Sequence, residues 1–243
     1  MEIDISPDPA RLTRKAADLF VARAKEAMER RGRFAVAFSG GSTPKALFAL
    51  LATPEYVGRV DWSRVHLFWG DERCVGPDDP KSNFKMTKEA LLDHVPLPTT
   101  NIHRIYGEDD PFQSAKQYEQ EIRTFFGGGD TVPAFDLVLL GMGDNGHTAS
   151  LFPGTWSVRE KVRWVVEQYV EVMTMWRVTF TAPLINAAEH VAFLVSGPGK
   201  ADMLAKVLQG LQQPDVLPAQ LIQPAKGLLH WLVDAPAAAQ LKQ

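Results

Sequence analysis

The sequence predicts an α/β fold: a doubly wound, largely parallel sheet flanked by helices, Rossmann-like in outline. Three observations predict it. Short apolar runs recur along the chain: FAVAF at 34–38, VHLFW at 65–69, LVLL at 137–140, VAFLV at 191–195 and LLHWLV at 228–233. Runs of this length, bounded by glycine or polar residues, read as buried strands. Between them lie stretches with apolar residues at helical spacing, and strands alternating with helices make a parallel sheet. Four of the runs end in glycine or charged residues, the edge where open α/β sheets bind ligands.

Composition sets the bounds. The 243 residues are 45% hydrophobic, enough for a sizeable core. No repeat, low-complexity linker or boundary interrupts the chain, so one domain over residues 1–243 is expected. The net charge of −3 lacks the basic excess of a nucleic-acid binder. No apolar run approaches the ~20 residues of a membrane helix. The acidic start Met1-Glu2-Ile3-Asp4, with no apolar stretch behind it, predicts no secretory leader, and a cytoplasmic protein is expected. The single cysteine, Cys74, forbids an internal disulfide and a cysteine zinc cage.

In chain order, Met1, Ile3 and Ile5 alternate as an edge strand. Asp8 or Ser6 caps a helix running to about Arg31, with Leu12, Ala16, Phe20, Ala24 and Ala27 on its apolar face and Gly32 at its end. The strand at 34–38 enters Ser39-Gly40-Gly41-Ser42-Thr43-Pro44 and then a helix, with Thr43 or Ser42 as cap and Pro44 in its first position. Strand, glycine turn and helix N-terminus together bind anions, because free N–H groups and the positive dipole end face the same point. An ordinary capped turn is the alternative. The loop is neither a Walker loop nor GxGxxG.

The strand at 65–69 ends in Gly70-Asp71-Glu72-Arg73-Cys74. Arg73 suits a phosphate or an oxyanion, and Asp71 and Glu72 suit sugar hydroxyls or the orientation of Arg73. A surface salt-bridge cluster is the alternative. His66 and Cys74 are read as structural. Asn83 closes a polar loop, either capping the next helix or reaching into the site. A short strand at 103–105, a helix over 111–126 and a Gly127-Gly128-Gly129 turn follow.

The run at 137–140 breaks into Gly141-Met142-Gly143-Asp144-Asn145-Gly146-His147. A histidine beside a glycine-lined gap at a strand's carboxyl end suits acid–base chemistry. Residues 164–166 read as strand, 167–176 are ambiguous, and RVTFT at 177–181 alternates as a half-buried strand. The run at 191–195 ends in Ser196-Gly197-Pro198-Gly199-Lys200 before a helix, placing Lys200 within reach of an anion. The last strand carries Asp234 at its end, and an alanine-rich terminal helix is expected after it. There is no HExxH and no GxSxG elbow, which argues against a zinc hydrolase and a serine hydrolase. On the residues alone, the chain binds or transforms a small phosphorylated metabolite with a histidine base.

The strings FSGGSTPKALF, FWGDERCVGPDDPKSN, DLVLLGMGDNGHTASLFP, RVTFT and SGPGK resemble the 6-phosphogluconolactonases, in order from about Phe34 to Asp234. The wider group includes glucosamine-6-phosphate deaminases. The resemblance implies hydrolysis of 6-phosphogluconolactone, the second step of the oxidative pentose phosphate pathway, without metal or organic cofactor. It implies His147 as general base and Arg73 near the substrate, with Arg73 or the glycine-loop N–H groups on the oxyanion. Substrate contacts are expected from Gly40, Gly41, Ser42, Thr43, Asp71, Glu72, Asn83, Gly143 and Asn145, and phosphate contacts from Arg177 and Lys200. Its partner is then a small phosphorylated sugar lactone, with no nucleic acid or membrane, and the enzyme a monomer or homodimer. One departure stands out: the family's Asp-Gly-His reads Asn145-Gly146-His147 here. Asparagine makes hydrogen bonds but shuttles no proton. That weighs against a sugar-phosphate isomerase or deaminase, which is one rival reading. A non-catalytic sugar-phosphate sensor is the other.

Overall fold

A computed structural model describes residues 1–242. Seven parallel strands form the main sheet in the order β1-β10-β9-β6-β2-β3-β5. They are β1 (Glu2–Ser6), β2 (Phe34–Phe38), β3 (Val65–Trp69), β5 (Ile102–His103), β6 (Leu137–Leu140), β9 (His190–Val195) and β10 (Leu228–Asp234). A second, antiparallel sheet holds β4 (Asp71–Arg73), β8 (Met175–Phe180) and β7 (Val165–Val170), in that order. The helices are α1 (Pro9–Arg31), α2 (Ser42–Leu51), α3 (Pro54–Val57), α4 (Asn83–Ala90), α5 (Pro111–Phe125), α6 (Ala182–Asn186) and α7 (Ala201–Gln209). None among the described residues is long and apolar enough to cross a membrane.

The apolar runs are the central strands. Every residue of β2, β6 and β9 is buried, which is why these runs do not alternate. Helix α1 buries Leu12, Ala16, Ala17, Phe20, Ala24, Ala27 and Met28, one face at helical spacing. Asp8 caps it through the Arg11 N–H, and Gly32 ends it in the left-handed conformation (φ 75°). Phe20 packs edge-on to Phe34 of β2, tying the helix to the sheet.

From β2 the chain steps one way, through α2 to β3, and later the other way, from β6 to β9 and β10. The gap between the carboxyl ends of β2 and β6 is therefore a topological switch point, the place where such sheets take ligands.

The second sheet was not expected. Asp71–Arg73 reads as a loop beyond β3, but Gly70 lets the chain leave the main sheet and pair again. The Gly70 N–H donates to Phe38 O, and Gly70 O accepts from Phe180 N–H. The ambiguous stretch 167–176 is the rest of β7, a turn at Glu171–Met173, left-handed Thr174 (φ 50°) and the start of β8. The alanine-rich carboxyl end is a run of turns, not a helix. Ala237 and Ala238 are buried, and the Ala237 N–H donates to Asp234, so that segment packs by its own contacts. Two caps also differ from expectation. Gly41 precedes α2 with φ 112° and no side-chain cap, placing Ser42 and Thr43 inside the first turn. Ser82, not Asn83, caps α4.

Candidate active site

A cavity of about 310 Å³ opens at the switch point. The loop after β2 supplies Ser39, Gly40, Gly41, Ser42 and Thr43 to one wall. The positive φ of Gly41 turns the chain into α2, and the first intrahelical bond runs from Lys45 N–H to Gly41 O. The Ser42 and Thr43 N–H groups precede that bond, as in helix-terminal anion sites. A Cβ on Gly40 would overlap the amide of Asn83, so only glycine lets this loop lie against α4.

The loop after β6 supplies Gly141, Met142, Gly143, Asp144, His147 and Ala149. The His147 ring stacks on Phe152, with centroids 4.0 Å apart and planes at 17°. On its other side a Cβ at Gly143 would overlap the imidazole, so the ring lies on bare backbone. Nδ1 is 2.6 Å from Asn145 Oδ1, and the His147 N–H reaches that same oxygen at 3.2 Å. Burial pulls His147 down to about 4, with Asp71 opposing and Arg177 and Lys200 adding to the shift. The imidazole is therefore neutral at pH 7.

The antiparallel sheet forms the third wall. Side chains alternate along a strand, so Asp71 and Arg73 of β4 face the cavity together and Glu72 faces away. Glu72 is instead consumed at the N-terminus of α4, accepting the Arg73, Asn83 and Phe84 N–H groups and the Ser82 hydroxyl. That removes it from the cavity wall, contrary to its expected substrate contact. Asn83 donates from Nδ2 to Asp71 O at 2.9 Å and lines the cavity, the reaching role rather than the cap.

Arg73 pairs directly across the ladder with Arg177, and Asp71 with Thr179. Like charges opposite one another destabilise a sheet, so an anion held between the two arginines would relieve that repulsion. Arg177 is 5% exposed; its Nη1 is 3.4 Å from Ser150 Oγ and 3.6 Å from Asp71 Oδ2, and its Nη2 is 2.8 Å from Met173 Sδ. Burial holds its pKa below the usual arginine value, with Asp71 opposing and Arg73 adding. Arg73 donates from Nη1 to Lys81 O. The Nε atoms of both arginines and the Ser39 hydroxyl are buried without a partner among the described residues. Cys74, next to Arg73, is a partly buried thiol pushed up to about 12 by burial first and then by Glu72. It is no nucleophile.

Lys200, after β9, closes the cavity and pairs with Asp144 across its mouth. Gly197, in the same turn, has φ 95°, and its N–H donates to buried Asp234 at the end of β10. Asn145 does not line the cavity, contrary to its expected substrate contact; its side chain is taken up by His147 instead. Sequence reasoning missed Ser150, whose hydroxyl donates to Asp71 Oδ2 at 2.7 Å across 79 positions of chain, a link with no local signal. It also passed over Asp144, an acid in a glycine loop and so open to view.

The glucosamine-6-phosphate isomerases/6-phosphogluconolactonase family matches residues 7–231. A 6-phosphogluconolactonase of Nostoc sp. is 42% identical over 241 residues, covering 98% of each chain. The solved 6-phosphogluconolactonase from Trypanosoma cruzi superposes with a TM-score of 0.87 at 28% identity, covering 100% of this chain and 97% of that one. A monomeric glucosamine-6-phosphate deaminase shares the fold, with a TM-score of 0.81 at 22% identity, covering 99% and 100%. The chain belongs to the glucosamine-6-phosphate isomerase/6-phosphogluconolactonase family.

Proposed function

We propose that this chain hydrolyses 6-phospho-D-glucono-1,5-lactone to 6-phospho-D-gluconate in the oxidative pentose phosphate pathway, with His147 as general base. The observation that carries the reading is a neutral imidazole whose Nδ1 is engaged by Asn145, leaving Nε2 for a cavity walled by Arg73, Arg177 and Lys200. The 42% identity to a protein named for this activity supports the substrate.

The phosphate sits on Arg177 and Lys200, or Arg73, assisted by the Ser42–Thr43 turn. Nε2 of His147 takes a proton from water as its oxygen attacks the lactone carbonyl. Arg73 or the loop N–H groups stabilise the oxyanion. The imidazolium then gives its proton to the ring oxygen as the C–O bond breaks, and the acid ionises. The phosphate dianion offsets the field of Arg177 and Lys200 and so raises the basicity of His147 during turnover. We place the enzyme in the cytoplasm as a single-domain monomer or homodimer.

Asn145 cannot relay a proton, which favours hydrolysis over isomerase or deaminase chemistry. The test is hydrolysis of freshly made lactone by wild type and by His147→Ala, with spontaneous opening subtracted. A general base is worth about 10²–10⁴-fold, and kcat falls by that much in the variant. An equal kcat would return the base to another group. Turnover of glucosamine 6-phosphate would favour the deaminase reading, and binding of 6-phosphogluconate without turnover would favour a sensor.

A further inference from the structure

We propose that Met173 is a site of reversible oxidation by peroxide, and that its sulfoxide weakens the cavity's hold on phosphate. The inference rests on the reading above that Arg177 anchors the phosphate. Met173 sits in the turn joining β7 and β8, beside Val172; the two residues are 47% and 83% exposed. All four residues from Glu171 to Thr174 are exposed, so a dissolved oxidant reaches this turn. The same sulfur lies 2.8 Å from Nη2 of buried Arg177, which lines the cavity. A half-exposed residue thus carries the sulfur that meets the guanidinium.

The other contacts of Arg177 are loose, at 3.4 Å to Ser150 and 3.6 Å to Asp71, and its Nε has no partner among the described residues. A thioether is a weak acceptor and releases Nη2 readily when a phosphate oxygen arrives. Hydrogen peroxide transfers one oxygen to Sδ and leaves as water, a two-electron oxidation of thioether to sulfoxide. The sulfoxide oxygen accepts strongly from a cation, so it competes with phosphate for the same N–H group. A methionine sulfoxide reductase, drawing electrons from a dithiol, reverses the step.

Met86, Met175 and Met203 are partly buried and do not line the cavity. Met142 lines the cavity but is 5% exposed, and Met28 is buried under α1. Cys74, a partly buried thiol pushed up to about 12, holds almost no thiolate for peroxide to attack. Met1 is exposed but does not line this cavity.

The experiment treats the whole protein with hydrogen peroxide and maps oxidation by peptide mass spectrometry. Lactone hydrolysis and 6-phosphogluconate binding are then measured, before and after reduction by the reductase. KM and the dissociation constant rise on the order of tenfold, the ratio that ~1.4 kcal/mol of competing hydrogen bond produces, while kcat changes little. Both values return on reduction. Met173→Leu shows no response to peroxide, and Met173→Gln, with a permanent amide acceptor, shows the weakened binding untreated. Unchanged binding with Met173 fully oxidised would overturn this inference alone. Failure of the untreated protein to bind 6-phosphogluconate would overturn the phosphate reading and this inference with it.

Discussion

Asn145 Oδ1 accepts two hydrogen bonds from one residue, the backbone N–H of His147 and its ring Nδ1. The backbone can only donate, so the shared atom is the amide oxygen and Nδ1 carries the ring proton. The tautomer is thereby set, and Nε2 keeps its lone pair. An aspartate in that place would set the same tautomer and add a negative charge. This chain keeps the orienting bond and drops the charge.

The first prediction concerns that charge. The free His147 ring should titrate near 4 when followed by NMR, because burial disfavours the imidazolium and Arg177 and Lys200 disfavour it further. Below that pH the base is protonated and lost; above it the base is present. Asn145→Asp stabilises the imidazolium and moves the titration upward, as does saturation with 6-phosphogluconate. An Asn145→Asp ring that still titrates at the wild-type pH would mean the two side chains do not couple.

Gly143 gives the second prediction. Its backbone does not lie in the left-handed region, so alanine is tolerated conformationally there. The new methyl would nevertheless occupy the space of the His147 ring. Gly143→Ala should fold with near-wild-type circular dichroism and lose kcat to the extent of His147→Ala. Full activity in a folded Gly143→Ala protein would show that the ring need not rest on that glycine.

The main sheet and most of the cavity are legible in the sequence because both are local. Buried strands announce themselves as apolar runs, and the loops after β2, β6 and β9 carry their glycines with them. The second sheet is not legible, since β4 is three residues long and owes its existence to β8, whose paired residues lie more than a hundred positions away. Without that pairing, Asp71, Glu72 and Arg73 look like one cluster. With it, alternation sends Glu72 to the N-terminus of α4 and the other two to the cavity. Ser150 is hidden for the same reason. The terminal alanines mislead by propensity, because tertiary packing decides where helix preference is weak.

Arg177 and Lys200 separate stability from binding. Arg177 and Asp71 are both about 6% exposed at the side chain and 3.6 Å apart, so removing the guanidinium leaves a buried carboxylate with the Ser150 hydroxyl but without this counter-charge. Arg177→Met should lose ~3–5 kcal/mol of stability in urea unfolding as well as phosphate affinity. Lys200 pairs with Asp144 at the surface, where such pairs contribute little. Lys200→Met should keep its unfolding midpoint and raise KM. Equal midpoints for the two variants would contradict the buried pair.

The last prediction lies at the far edge of the sheet. Arg23 Nη1 is 3.1 Å from His190 Nε2, His190 Nδ1 is 3.1 Å from His230 Nε2, and His230 Nδ1 is 3.2 Å from Glu2 Oε2. Arginine only donates, so each imidazole accepts on one nitrogen and donates from the other, in a directed chain from α1 through β9 and β10 to β1. That chain needs both rings neutral. Burial first, then Arg23 and His230, pulls His190 down to about 4; burial also lowers His230, against the pull of Glu2. Unfolded histidine titrates near 6.5. The folded values lie below the unfolded ones, so the unfolded chain binds more protons as the pH drops. The contribution of these histidines to stability is then complete above about pH 6.5 and is lost as the pH falls toward 4. The slope of the unfolding free energy between pH 6.5 and 5 counts the protons taken up. His190→Phe should reduce that count by up to about one, and an unchanged slope would remove His190 from the acid response.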